Sequence, residues 1–132
     1  MRYRRRATYR YTVVMREPAS AATAWSHERR HLLPHGRWQP DADVYETLAS
    51  VEAVVDLAGV DEDDFEVHVF EDAVVVEGRR HIPTPGASVY HTAGIREGLF
   101  EVDIPLPVPV DTARVEATYE RGLLRITLPK HP

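Results

Sequence analysis

The sequence predicts an all-β, immunoglobulin-like sandwich behind a short arm that is partly helical or disordered. Three observations carry this expectation. Ala117 to Lys130 reads as one antiparallel hairpin: Val115, Ala117 and Tyr119 alternate with Glu116, Thr118 and Glu120, and Leu124, Ile126 and Leu128 alternate with Arg125 and Thr127. From Pro40 onward, period-two runs recur at short intervals with no helical pattern among them, as in a sandwich. The charge divides as well. Residues 1–38 hold nine Arg against Glu17 and Glu28, a net of +7, while residues 39–132 hold seven Lys/Arg against nineteen acids, a net of −12. The chain is therefore a basic arm, 1–38, on an acidic domain, 39–130, with a two-residue tail, 131–132.

Bulk properties narrow the field. A chain of 132 residues, 43% hydrophobic and 28% charged, makes one globular domain with a core that needs no staples. It has no cysteine, which excludes disulfides and thiolate metal sites and fits the cytoplasm. No apolar run is long enough to span a membrane. The Arg-rich start has no apolar stretch behind it, so no secretory leader is expected; a transit peptide stays open.

In the arm, Arg2, Arg4, Arg5, Arg6 and Arg10 interleave with Tyr3, Tyr9, Tyr11, Val13 and Val14. Cations beside aromatic rings can hold phosphates and stack on bases, but no nucleic-acid-binding fold surrounds them. An arm folding back on its own acidic domain, or on a neighbouring chain, is preferred. Pro18 to Leu33 reads as a helix, with Pro18 in its first turn and Trp25, Arg29 and Leu32 on one face; Pro34 ends it. His27-Glu28-Arg29-Arg30-His31 matches the spacing with which zinc peptidases place two metal ligands and a base. A peptidase also needs a third ligand and a walled cleft, and His35 is cut off by Pro34 and Gly36. The match is read as a solvated helix face, with no metal and no catalysis expected.

The domain begins with a short strand at Asp43 to Thr47, followed by Ser50 to Leu57, which ends at Ala58-Gly59-Val60. Phe65, Val67 and Val69 alternate with Glu66, His68 and Phe70 in a third strand, where His68 falls on the polar phase and reads as solvated. Asp61-Glu62-Asp63-Asp64 lacks the ligand alternation and central glycine of a calcium loop and reads as a turn capping a helical bend. Ala73 to Glu77 is a fourth strand. Residues 79–97 form a long loop, with Val89, Tyr90 and His91 as a short strand inside it, and loops of that length usually pair with something. Leu99 to Leu106 is the next strand, closed by Pro105, Pro107 and Pro109. Gly122 supplies the positive φ of the last hairpin turn, and Pro129 stops the final strand.

Over about residues 38–130 the chain resembles the small heat-shock proteins, which carry an alpha-crystallin domain. The resemblance rests on Trp38-x-Pro40, Asp43-Val44-Tyr45-Glu46-Thr47, Asp56-Leu57-Ala58-Gly59-Val60 and Val76-Glu77-Gly78-Arg79. It continues through Tyr90-His91, Gly98-Leu99-Phe100, Leu106-Pro107, Ala117-x-Tyr119-x-x-Gly122-Leu123-Leu124 and Leu128-Pro129-Lys130. It implies an ATP-independent holdase, without cofactor or enzymatic activity, that dimerises, assembles further and keeps partly unfolded client proteins from aggregating under stress. It further implies that Val89, Tyr90 and His91 pair with the sheet of a partner subunit, and that a groove near Val67, Val69, Val115 and Ala117 accepts I-x-I tails or client segments. The chain departs from the family in lacking a C-terminal I-x-I tail, in Phe100-Glu101-Val102 where Phe-x-Arg is common, in Gly94-Ile95 where a Glu-Arg pair is common, and in Arg121 where Asn commonly precedes the turn glycine.

On this reading Tyr3, Tyr9, Tyr11, Val13, Val14, Trp25, Leu32 and Leu33 are the client-binding residues, since a holdase needs apolar surface beside solubilising charge. The rival readings are a monomeric co-chaperone module with the related fold, and an adaptor whose basic arm binds nucleic acid or an acidic surface.

Overall fold

The computed structural model describes residues 11–15 and 37–132. The helix expected over Pro18 to Leu33 lies outside the described residues. What is described is a sandwich of two four-stranded sheets. One has the order β1 (Tyr11–Met15), β4 (Phe65–Phe70), β5 (Ala73–Arg80), β6 (Gly98–Pro105). The other has the order β2 (Ala42–Glu46), β3 (Ser50–Asp56), β8 (Leu123–Pro129), β7 (Glu116–Glu120). The strands after residue 40 lie where the period-two pattern put them. β5 continues three residues past Glu77 to Arg80, because Gly78, Arg79 and Arg80 pair with Phe100, Leu99 and Gly98.

Every pairing between these strands but one is antiparallel. The exception was not expected. β1, in the basic arm, runs parallel to β4, with Tyr11 opposite Val67 and Val13 opposite Val69.

The inward phase of each strand builds the core. Val51, Ala53 and Val55 of β3, Leu124, Ile126 and Leu128 of β8, and Val67 and Val69 of β4 are all shut off from solvent. Phe65, Phe100, Val74 and Val76 fill the space between the sheets. Burying a side chain of this size contributes about 1.5–3 kcal/mol, so a continuous apolar layer on both inner faces holds the sheets together. Gly78 belongs to this layer by subtraction. A Cβ there would come within 2.8 Å of both the Phe100 ring and the Phe65 backbone.

Short links close the ends of the sandwich. Arg121 (φ 54°) and Gly122 (φ 82°) both take positive φ, which is what a two-residue turn between right-twisted strands requires. The acidic run expected as a capped bend is a single 3-10 turn, Glu62–Asp64, whose N-cap Asp61 accepts from the Asp63 N–H. Asp111 does the same for a second 3-10 turn, Thr112–Arg114; the bonded Ala113 N–H, helped by Arg114, holds its carboxyl below the usual range.

Tyr119 ties the last hairpin to the turn after β3. Its hydroxyl lies 2.7 Å from the Leu57 carbonyl and 2.6 Å from the Val60 carbonyl, and its ring meets Phe65 edge-on at 5.1 Å. Burial, together with the charges of Asp61 and Glu62, pushes the phenol up to about 12. An unfolded tyrosine ionises near pH 10. Between pH 10 and 12 the unfolded chain therefore releases a proton that the folded one keeps, and stability falls with rising pH.

Tyr119→Phe is expected to lower stability by about 1–3 kcal/mol at neutral pH, through loss of the one buried O–H shared between the Leu57 and Val60 carbonyls, of which Leu57 keeps the Val60 N–H as a donor. It is also expected to flatten the loss of stability between pH 10 and 12, as read by urea unfolding across that range.

Candidate functional site: the sheet edges and the long loop

A sandwich of open sheets ends in strand edges, whose free N–H and C=O groups invite another strand. The four edges here are treated differently. One edge is β1, which lies along β4. The outer edge of β6 is closed by Trp38, whose N–H donates to the Leu99 carbonyl and whose carbonyl accepts from Glu101 N–H. β7 carries Glu116 and Glu120 at its two ends, both exposed. β2 is exposed along its whole length, with Val44 at 42% and Tyr45 at 50% exposure. It exposes Val44 and Tyr45 beside Asp43 and Glu46, with nothing on its outer side among the described residues.

β2 is nevertheless held in place. It pairs with β3 from Ala42–Val55 to Glu46–Val51, the Asp56 N–H donates to the Asp41 carbonyl, and Lys130 Nζ reaches Glu46 at 2.6 Å. A fixed, exposed edge strand is a template for a strand from elsewhere.

The long loop, residues 81–97, is the other exposed element. Val89, Tyr90 and Ile95 stand out into solvent, and Val89 to His91 form no strand within the single chain. The ends of the loop, by contrast, are anchored. Arg80 donates from Nε and Nη2 to the Arg96 carbonyl at 2.9 and 2.6 Å, and from Nη1 to the Ala58 carbonyl at 3.1 Å. Its guanidinium lies 4.3 Å from the centre of the Trp38 ring. The Ile82 N–H donates to Glu97 at 3.0 Å, and Thr84 meets the Tyr90 hydroxyl at 2.6 Å. One planar cation thus fixes where the loop leaves and re-enters the sheet.

The residues expected at the groove come out on β4 and on β7 with its approach. Val67, Val69, Val115 and Ala117 all point inward and are buried in the core. What β4 offers a neighbour is its backbone edge, and there the chain's own β1 is bound. Of the residues expected to take clients, Tyr11, Val13 and Val14 belong to β1, while Tyr3, Tyr9, Trp25, Leu32 and Leu33 lie outside the described residues, as does His27-Glu28-x-x-His31. The strand at Tyr11–Met15 and the role of Arg80 were not foreseen from the sequence. The run Tyr-Thr-Val-Val-Met is rich in β-formers, which was a signal for the first. Nothing local marked the second.

A family model described as the Hsp20/alpha crystallin family matches residues 43–132. Heat shock protein 16 of Schizosaccharomyces pombe is 33% identical over 100 residues, which cover 72% of this chain and 68% of that protein. Spore protein SP21 of Stigmatella aurantiaca is 38% identical over 94 residues, 70% of this chain and 56% of the relative. Among solved structures, heat shock protein 16.0 from S. pombe superposes with a TM-score of 0.65 at 30% identity, over 71% of this chain and 88% of that one. A small heat-shock protein from Xylella fastidiosa does so with a TM-score of 0.64 at 26% identity, over 73% and 89%.

Arg80→Ala is expected to cost about 1–3 kcal/mol, from bonds to a charged donor and the contact with Trp38, and to speed amide exchange at the base of the loop. Arg80→Lys should restore little of either, because an ammonium cannot make the forked contact. Unfolding in urea and hydrogen–deuterium exchange over residues 80–98 measure both effects.

Proposed function

The chain belongs to the Hsp20/alpha crystallin family of small heat-shock chaperones, and from that premise we propose that it is an ATP-independent holdase that binds partly unfolded proteins and keeps them from aggregating. The observation that supports this most directly is the combination of a fixed β2 that exposes Val44 and Tyr45 and has no strand on its outer side among the described residues with a long loop clamped at its base and exposed at Val89, Tyr90 and His91. On this proposal the loop segment of one subunit adds to β2 of another, and the reciprocal exchange makes a homodimer. It satisfies the backbone groups of β2 and covers Val44 and Tyr45 in one step.

Client capture belongs to the arm in this reading, through Tyr3, Tyr9, Tyr11, Val13, Val14, Trp25, Leu32 and Leu33. Several weak apolar contacts gain avidity when dimerisation gathers two arms, and larger assemblies gather more. The acidic domain, at −12 over residues 39–132, keeps the loaded complex in solution. No chemical step is required, so the function proposed is not enzymatic, and its setting is the cytoplasm. Among the described residues no helix is long and apolar enough to cross a membrane.

The +7 arm supports one second reading, an adaptor that uses it to hold nucleic acid or another acidic surface. Such binding would weaken steeply as salt rises, whereas capture of apolar segments would not.

Light scattering of a heat-labile protein without ATP is expected to be suppressed by the full chain and not by a chain lacking residues 1–36, which keeps Arg37 and Trp38 on β6, with the truncated domain still folded by circular dichroism. Full suppression by the truncated chain would refute the role given to the arm. Val89→Pro, which removes a backbone donor from an exposed loop, is expected to convert the dimer to monomer in mass measurements while leaving the subunit fold unchanged. A monomeric parent chain would overturn the exchange of strands.

A further inference from the structure

On the outer face of the β1-β4-β5-β6 sheet, three potential metal ligands converge. Glu66 and His68 are two residues apart on β4 and share its outward phase, and Glu77 of β5 is the register partner of Glu66. His68 Nε2 lies 3.6 Å from Glu77 Oε1 and 3.9 Å from Glu66 Oε1, and a ligand atom from each of the three falls within 4.8 Å of the others. We propose that Glu66, His68 and Glu77 form a binding site for one divalent transition-metal ion of the zinc class.

The geometry is near what such an ion needs. Zinc takes imidazole nitrogen and carboxylate oxygen at about 2.0–2.2 Å, so neighbouring ligand atoms around it sit roughly 3–3.5 Å apart. The observed separations of 3.6 and 3.9 Å from His68 Nε2 lie just above that range. The ring and one carboxylate are already confined: the side chains of His68 and Glu77 are 16% and 13% exposed, while Glu66 at 55% leaves an approach from solvent. Beside the site lies a hollow of about 320 Å³, whose charged lining is Asp63, Asp64, Glu66 and Glu77 against Arg37 and Arg79, so carboxylates outnumber guanidiniums there.

The charges along this face point the same way. Glu66, Glu77 and Glu101 stand directly opposite one another on β4, β5 and β6. Carboxylates opposed across strands repel. Arg37 pairs with Glu101 at one end of the row. The ligand types favour a borderline ion over calcium or magnesium, which take oxygen ligands in greater number. Because the ligands lie on two paired strands, the ion would cross-link β4 to β5.

The test uses calorimetric titration of the full chain with ZnCl2, in a His27→Ala/His31→Ala background that removes the histidine pair of the arm. One ion per chain is expected there. His68→Ala and Glu77→Gln are each expected to weaken binding roughly 30-fold or more, and Glu66→Gln about tenfold, as for loss of a direct ligand. Zn²⁺ should raise the melting temperature of the background protein and leave that of His68→Ala unmoved, while Mg²⁺ moves neither. Unchanged binding in His68→Ala, or loss of binding in the background itself, would overturn the proposal. Should His68→Ala fail to fold, the affinity of Glu66→Gln, altered at a largely solvated carboxylate, decides the matter: a tenfold loss supports the site and an unchanged affinity overturns it.

Discussion

The structure is governed by one constraint: two open sheets stacked on a shared core must leave strand edges, and unpaired backbone at an apolar edge is unstable in company. Two of the four edges have a local answer: Trp38 closes β6, and β7 carries charges at both ends, while β1 lies along β4 and is itself the other edge of that sheet. β2 has no such answer among the described residues, and its Val44 and Tyr45 face water. In the proposed dimer the long loop answers it from another subunit, and function would start from a backbone that is not yet paired.

The turn after β3 has more than a connecting role. The Leu57 N–H donates to the Gly122 carbonyl, the Leu57 and Val60 carbonyls face the Tyr119 hydroxyl, and the Ala58 carbonyl accepts from Arg80. Strand β3, the β7–β8 hairpin and the base of the long loop thus meet in four residues. Arg80 in turn stacks on Trp38, the residue that closes β6. Loop position, edge closure and hairpin packing are linked through a chain of short polar contacts, so damage at one of them reaches the others.

The two faces of the β4-β5 pair divide structure from chemistry. Inward, Val67, Val69, Val74 and Val76 are core. Outward, the same strands set Glu66, His68 and Glu77 side by side, next to a second buried apolar cluster of Phe70, Ala73 and Val75. The period of two that makes a strand amphipathic also gathers its polar residues into one place, and pairing with a neighbour brings a third ligand to two from the same strand. A histidine that reads as solvated in one strand acquires company only when the next strand is laid beside it.

Sequence alone determined what depends on local alternation and turn chemistry. The β7–β8 hairpin was legible because Arg121-Gly122 sits between two period-two runs, and β3 through β6 because their apolar residues alternate or run together between clear breaks. The motifs from Trp38 to Lys130 then placed the chain in its family. Tertiary structure alone decided what depends on residues distant in the chain. The pairing of Tyr11–Met15 with β4, more than fifty positions away, has no local code, since a parallel partner is chosen by which edge is free. Val67, Val69, Val115 and Ala117 could be assigned to two strands but not to a face, and packing turned all four inward. Arg80 looked like one more surface cation until folding brought Ala58, Arg96 and Trp38 around it. Alternation sets which side of a strand is apolar; only the assembled sheets determine what each polar residue meets.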